Sequence, residues 1–187
     1  NLAGGTHHAH RGFGSGFCVW NDLAVTARWL LAERDVRRVL ILDLDVHQGD
    51  GTATIFADEP RVFTCSMHGA RNFPFHKATS DLDVELPDGA DDALVLARLD
   101  ETLAEVAERC SPDVVLYQAG VDALAADKLG RLGMSAAGLA ARDRRVLGHF
   151  RGRGLPVVLT LGGGYGDPID LTIDAHLGTY RVAREFA

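Results

Sequence analysis

Cysteine is scarce: Cys18, Cys65 and Cys110 are widely spaced and form no C-x-x-C pair. An odd count of three at such spacing argues against a disulfide framework or a cysteine zinc finger, and fits reduced thiols in a cytoplasmic setting. Long apolar runs are missing too. None approaches the roughly 20 residues that cross a bilayer, so no membrane-spanning helix is expected. The opening residues, Asn1 to His8, lack an initiator Met and show no basic stretch followed by an apolar one, so no signal peptide is read there. A basic excess is absent as well: 19 Lys+Arg stand against 26 Asp+Glu, a net charge of −7. Binding to a phosphate backbone needs a cationic face, so no direct nucleic-acid partner is expected. No Walker or G-x-S-x-G sequence occurs. Gly12, Gly14 and Gly16 are spaced G-x-G-x-G after no strand, which argues against a dinucleotide site.

What is present is ordinary globular material: 187 residues, 47% hydrophobic and 24% charged, enough for one domain with a sizeable core. Short, nearly continuous apolar runs at 38–43, 61–67, 113–118 and 155–161 read as strands buried on both faces of a parallel sheet. Helical spacing marks 23–33, 91–109 and 135–151, with Ser135 as an N-cap and Ser111-Pro112 closing the second. The strand–helix alternation predicts an α/β fold with right-handed crossovers and no internal repeat.

Open α/β sheets bind ligands beyond the carboxyl ends of their strands, and the polar motifs fall there. Asp43-Leu44-Asp45-Val46-His47 follows the first strand, Gln118-Ala119-Gly120-Val121-Asp122 the third, and Gly162-Gly163-Gly164-Tyr165 the fourth. In extended backbone Asp43, Asp45 and His47 share one face, about 6.6 Å apart in succession, so two of them can close on one ion. Asp122 can supply a third ligand. Such a set leaves an open coordination position, as a catalytic metal site requires. Taken alone, D-x-D-x-H equally describes a strand end with solvated acids. His7 and His8 sit in a glycine-rich stretch and suit a general base with an electrostatic helper, or a surface pair. Asp43 and Asp50 are the spare carboxylates able to orient them. Tyr165, after three glycines, can reach toward a developing oxyanion or simply pack at a helix start.

Together these residues resemble the histone deacetylase superfamily of zinc-dependent amidohydrolases, most closely its bacterial and class IV branch. The resemblance runs over essentially the whole chain. It rests on Gly4-Gly5-Thr6-His7-His8-Ala9, on 16–22 and 43–52, on Met67-His68-Gly69-Ala70-Arg71-Asn72-Phe73-Pro74, and on 118–122, 127–132 and 162–165. It implies a three-layer αβα fold with a mainly parallel sheet, of the arginase/deacetylase kind. It implies Zn²⁺, with Fe²⁺ as the alternative, on Asp45, His47 and Asp122, and a structural K⁺ or Na⁺ near Asp43, Asp45, His47 and Ser66. His8 would be general base and acid, His7 its electrostatic partner, with Asp50 and Asp43 behind them. Tyr165 would polarise the carbonyl. Gly16, Phe17, Phe73 and Gly163 would contact substrate, the two phenylalanines walling an apolar tunnel. The implied reaction is attack of metal-activated water on acylated lysine or a related acetylated amine.

Residues 1–187 are therefore expected to form a single deacetylase catalytic domain lacking its N-terminal part and some C-terminal residues. Three alternatives stand beside this. One is an acetylpolyamine or long-chain deacylase of the same fold, and another a non-catalytic deacetylase-like binding module. The third, a binuclear manganese ureohydrolase, is disfavoured because Ala123 and Leu124 follow Asp122 where a further carboxylate would be needed.

Overall fold

The computed structural model describes residues 4–187. Five strands, β1 (Val39–Asp43), β2 (Val62–Gly69), β3 (Leu82–Leu86), β4 (Val114–Gln118) and β5 (Val157–Thr160), form one sheet in the order β3-β2-β1-β4-β5. Every strand pair is parallel. Helices α1 (Asp22–Glu33) and α2 (Asp50–Phe56) cover one face, and α3 (Asp92–Arg109) and α4 (Ala136–Arg151) the other. The last helix, α5 (Asp170–Arg184), packs on α4. This is the three-layer α/β arrangement expected.

The sheet's centre explains the apolar runs. β1 and β4 are buried at every residue, because both faces of each strand are covered. Leu40, Leu42, Val115 and Tyr117 point into the α3/α4 layer, while Val39, Ile41, Val114 and Leu116 point into the α1/α2 layer. Helices α1, α3 and α4 each start on a side-chain cap. Asn21 accepts from Ala24 N at 2.9 Å, Asp91 from Leu94 N at 3.0 Å and Ser135 from Gly138 N at 3.0 Å. Among the described residues no helix is long and apolar enough to cross a membrane.

Three elements escape the sequence pattern, for distinct reasons. β3 alternates apolar residues with Asp83 and Glu85 and forms one edge of the sheet, so it lacks the continuous apolar run. α2 opens inside the Gly49-Asp50-Gly51 stretch, which reads as a loop. α5 begins at Asp170, and the preceding Ile169 offers no side-chain cap.

On the α1/α2 face of β2, His68 is wholly buried and its Nδ1 pairs with Ser66 Oγ at 3.0 Å. Burial pushes its pKa down to about 4. The folded value lies below the unfolded value of 6.5, so the stabilising contribution is complete above 6.5 and is lost as the pH falls toward 4. The largest effect is about 3 kcal/mol. Denaturant unfolding at pH 7.5 and 4.5 is expected to show a smaller acid loss in His68→Gln than in the parent protein. Equal losses in the two proteins would contradict this.

Candidate active site

β1 and β4 are neighbours at the middle of the sheet, and the chain leaves them toward opposite edges. That is the switch point where open α/β sheets form a crevice. The metal candidates lie there. Asp45, His47 and Asp122 each offer an atom to one group whose members lie within 4.8 Å of one another, all three buried. It is the one such group of three or more His, Cys, Asp or Glu among the described residues.

The local backbone differs from the extended stretch expected for 43–47. Strand geometry ends at Asp43, and each carboxylate then turns the chain by accepting a backbone N–H two residues on. Asp43 Oδ1 takes Asp45 N at 3.1 Å, and Asp45 Oδ1 takes His47 N at 3.0 Å. Asp43 is not a member of the metal-candidate group and instead holds His7, Oδ2 to Nδ1 at 2.6 Å. Asp45 and His47 converge with Asp122, which lies 3.1 Å from His47 Nδ1 and accepts from Val46 N at 2.9 Å.

This donor set fits a divalent cation. Burial and the neighbouring Asp45 charge push the Asp122 carboxyl up to about 7. Burial alone would lower the His47 pKa, but its bonds to Asp122 and Asp45 outweigh that and hold it at about 10. Two buried carboxylates that draw a proton onto the imidazole between them lack positive charge, which a metal ion supplies. The close approach of Gly163 leaves no room for a side chain: an added Cβ would fall on the Asp122 carboxylate. Its N–H donates to Asp45 Oδ2 at 2.6 Å.

The two histidines form separate dyads. His8 Nδ1 lies 2.6 Å from Asp50 Oδ1, at the start of α2, and His7 Nδ1 lies 2.6 Å from Asp43. Their rings are 4.0 Å apart. Their loop is pinned from α1 and α2: Asp22 accepts from Gly5 N and Thr6 N, and Thr52 N donates to His7 O. Their environments push the two apart. Burial lowers His8, and the nearby His7 charge adds to this against Asp50. Burial also works against His7, but the Asp43 and Asp45 charges outweigh it and raise its pKa to about 9.

Two cavities adjoin here. An inner chamber of about 200 Å³ is lined by His7, His8, Asp45, His47, Gly163 and Tyr165, among others. An outer cleft of about 570 Å³ shares His8, Gly16, Phe17, His47 and Tyr165 with it and adds Phe73, Asn72, Leu129 and Arg131. Phe73 packs edge-on to His8, their ring centres 4.9 Å apart, while the Phe17 ring lies 6.2 Å from Tyr165 and is mostly exposed. Burial raises the Tyr165 hydroxyl to a pKa of about 12, so it remains a proton donor. Asp127 Oδ2 accepts from Tyr165 N at 2.5 Å, anchoring that loop.

A family model described as the histone deacetylase domain matches residues 1–177. The chain belongs to the histone deacetylase family. An uncharacterized protein of Picosynechococcus sp. is 49% identical over 185 residues, 99% of this chain and 62% of its own. Histone deacetylase 2 of Arabidopsis thaliana is 35% identical over 88% of this chain and 43% of its own. Among solved structures, an HDAC homologue from Aquifex aeolicus has a TM-score of 0.80 at 28% identity, covering 98% of this chain and 54% of that one. Acetylpolyamine aminohydrolase from Burkholderia pseudomallei has a TM-score of 0.80 at 25% identity, covering 94% and 53%. The chain thus spans between about two fifths and three fifths of the length of these relatives.

Asn72, on the rim of the outer cleft, had no role assigned from the sequence. Asn72 Nδ2 donates to Leu129 O at 2.8 Å and staples the 127–131 loop beside β2. Its only sequence signal was its place between Gly69 and Pro74 in a family-like stretch.

Proposed function

We propose that residues 1–187 carry the catalytic centre of a zinc-dependent deacetylase and form part of a longer catalytic domain. In this reading the protein hydrolyses the amide of acetylated, or otherwise acylated, lysine or a related amine. The observation that carries it is that Asp45 and His47, grouped with the buried Asp122, line one chamber together with His8 and Tyr165.

Zn²⁺ held there by Asp45, His47 and Asp122 supplies Lewis acidity, lowering the pKa of water to near 7 and polarising a carbonyl. Fe²⁺ is the alternative ion. His8, kept largely neutral by burial and aligned by Asp50, accepts the proton of the attacking water. A C–O bond forms at the carbonyl carbon, and the Tyr165 hydroxyl donates to the oxygen as it gains charge. His8 then returns the proton to the amide nitrogen as the C–N bond breaks, leaving a carboxylate and a free amine. His7, paired with Asp43, adds positive charge beside this step. Gly16, Phe17, Phe73 and Gly163 form the passage for the acyl-lysine stem, an apolar route suited to a chain of methylenes. A K⁺ or Na⁺ near Asp43, Asp45, His47 and Ser66 belongs to the same reading.

The test is metal analysis and turnover of the full-length protein. About one zinc per chain and hydrolysis of a fluorogenic acetyl-lysine peptide are expected, with N-acetylated polyamines and longer acyl-lysines as the competing substrates. Absence of both metal and turnover would favour a binding module.

A further inference from the structure

Arg142 lies on α4, outside every motif singled out in the sequence, and is 1% exposed. A guanidinium at that depth needs compensation. Asp143 provides it: Oδ1 lies 3.0 Å from Arg142 Nε and 2.9 Å from Nη2. Asp143 is in turn held by the hydroxyls of Tyr117 on β4, at 2.6 Å, and Thr179 on α5, at 2.7 Å. That network leaves Nη1 directed elsewhere. It donates to two backbone carbonyls, Gly120 O at 2.7 Å and Leu44 O at 3.2 Å.

Those carbonyls belong to the two loops that bear the metal candidates. Leu44 directly precedes Asp45, and Gly120 lies two residues before Asp122. The loops press together at this point: an added Cβ on Gly120 would sit 2.7 Å from Asp45 Cα. Val46 N closes the same junction from the other side by donating to Asp122 Oδ1 at 2.9 Å. We propose that Arg142 is a positioning residue for the metal centre, its guanidinium clasping the β1 and β4 loops so that Asp45, His47 and Asp122 stay at ligating distance. A buried pair serving packing alone would not require Nη1 to join two carbonyls from different loops. Asp143, Tyr117 and Thr179 aim the clasp. It rests on the metal-centre reading above.

The test measures zinc affinity by competition with a chromogenic chelator and the visible absorption of the Co²⁺-substituted full-length protein. Arg142→Met with Asp143→Asn removes the donor and both charges together while nearly keeping the volume. Roughly 10–100-fold weaker zinc binding is expected, as for lost outer-shell support at metal sites, with a shifted Co²⁺ spectrum. Arg142→Lys keeps the charge on a shorter stem that reaches the carbonyls less well. It is expected to fall between, about 3–10-fold weaker, also with a shifted spectrum. If the double variant does not fold, judged by circular dichroism, Arg142→Lys decides alone. Wild-type affinity and spectrum in a folded variant overturn the clasp. Parent protein that takes up neither zinc nor cobalt ends the metal-centre reading and the clasp with it.

Discussion

Alanine at His8 is expected to lower kcat for acetyl-lysine hydrolysis by roughly 10²–10⁴-fold, the usual share of a positioned general acid and base. His8 has the attributes of that role: one ring nitrogen bonds Asp50, and the ring borders both the inner chamber and the outer cleft. Burial and the neighbouring His7 charge lower its pKa, so the unprotonated form prevails at neutral pH. His8 is not one of the three residues that could hold the metal, so zinc content is expected to stay at the parent level. KM is expected to change less than kcat, because the only part of the cleft wall removed is the ring packed edge-on to Phe73. His7→Ala is expected to cost less, since His7 already holds its proton on Asp43. Measured kcat, KM and bound zinc for the two variants check this ordering. Parent-level kcat in a folded His8→Ala protein would remove His8 from the chemistry.

Loss of a metal donor is expected to have the other large effect. His47→Ala leaves only Asp45 and Asp122, two carboxylates that repel one another at short range. The Lewis acid contributes several kcal/mol to such reactions, so its loss corresponds to a fall in rate of roughly 10³-fold or more. Atomic absorption is expected to find His47→Ala almost free of zinc. The parent protein stripped with a chelator is expected to lose the same activity and recover it when Zn²⁺ is added back. Full turnover in the stripped parent would exclude a metal mechanism. A zinc-loaded, active His47→Ala protein would move the ion elsewhere.

Much of the site was legible because its chemistry is written in short spacings. D-x-D-x-H and the His7-His8 pair put metal-ligating and basic residue types at short intervals, and the glycines before Tyr165 mark a close approach of backbone. The β1 and β4 runs were equally plain, since strands covered on both faces need apolar residues throughout. β3 was not, because a half-covered edge strand can alternate Asp83 and Glu85 with apolar residues. The three-on-one-face reading of Asp43, Asp45 and His47 failed because Asx-type bonds competed with strand geometry once β1 ended. Arg142 carried no signal: an arginine followed by an aspartate on a helix ordinarily belongs to a solvated face.

The sequence by itself determined the fold class, the family and the residue types available for chemistry, because periodicity and short motifs are local properties of the chain. Only the tertiary structure decided which aspartate serves which histidine. It also brought Asp122 to His47 across 75 residues and aimed a buried arginine at two loops from another layer. Those outcomes depend on β1 and β4 being parallel neighbours in matched register, from Val39 beside Val114 to Asp43 beside Gln118. Strand order is settled by how the whole set of helices and strands buries its apolar surface, a balance that no single stretch of sequence contains.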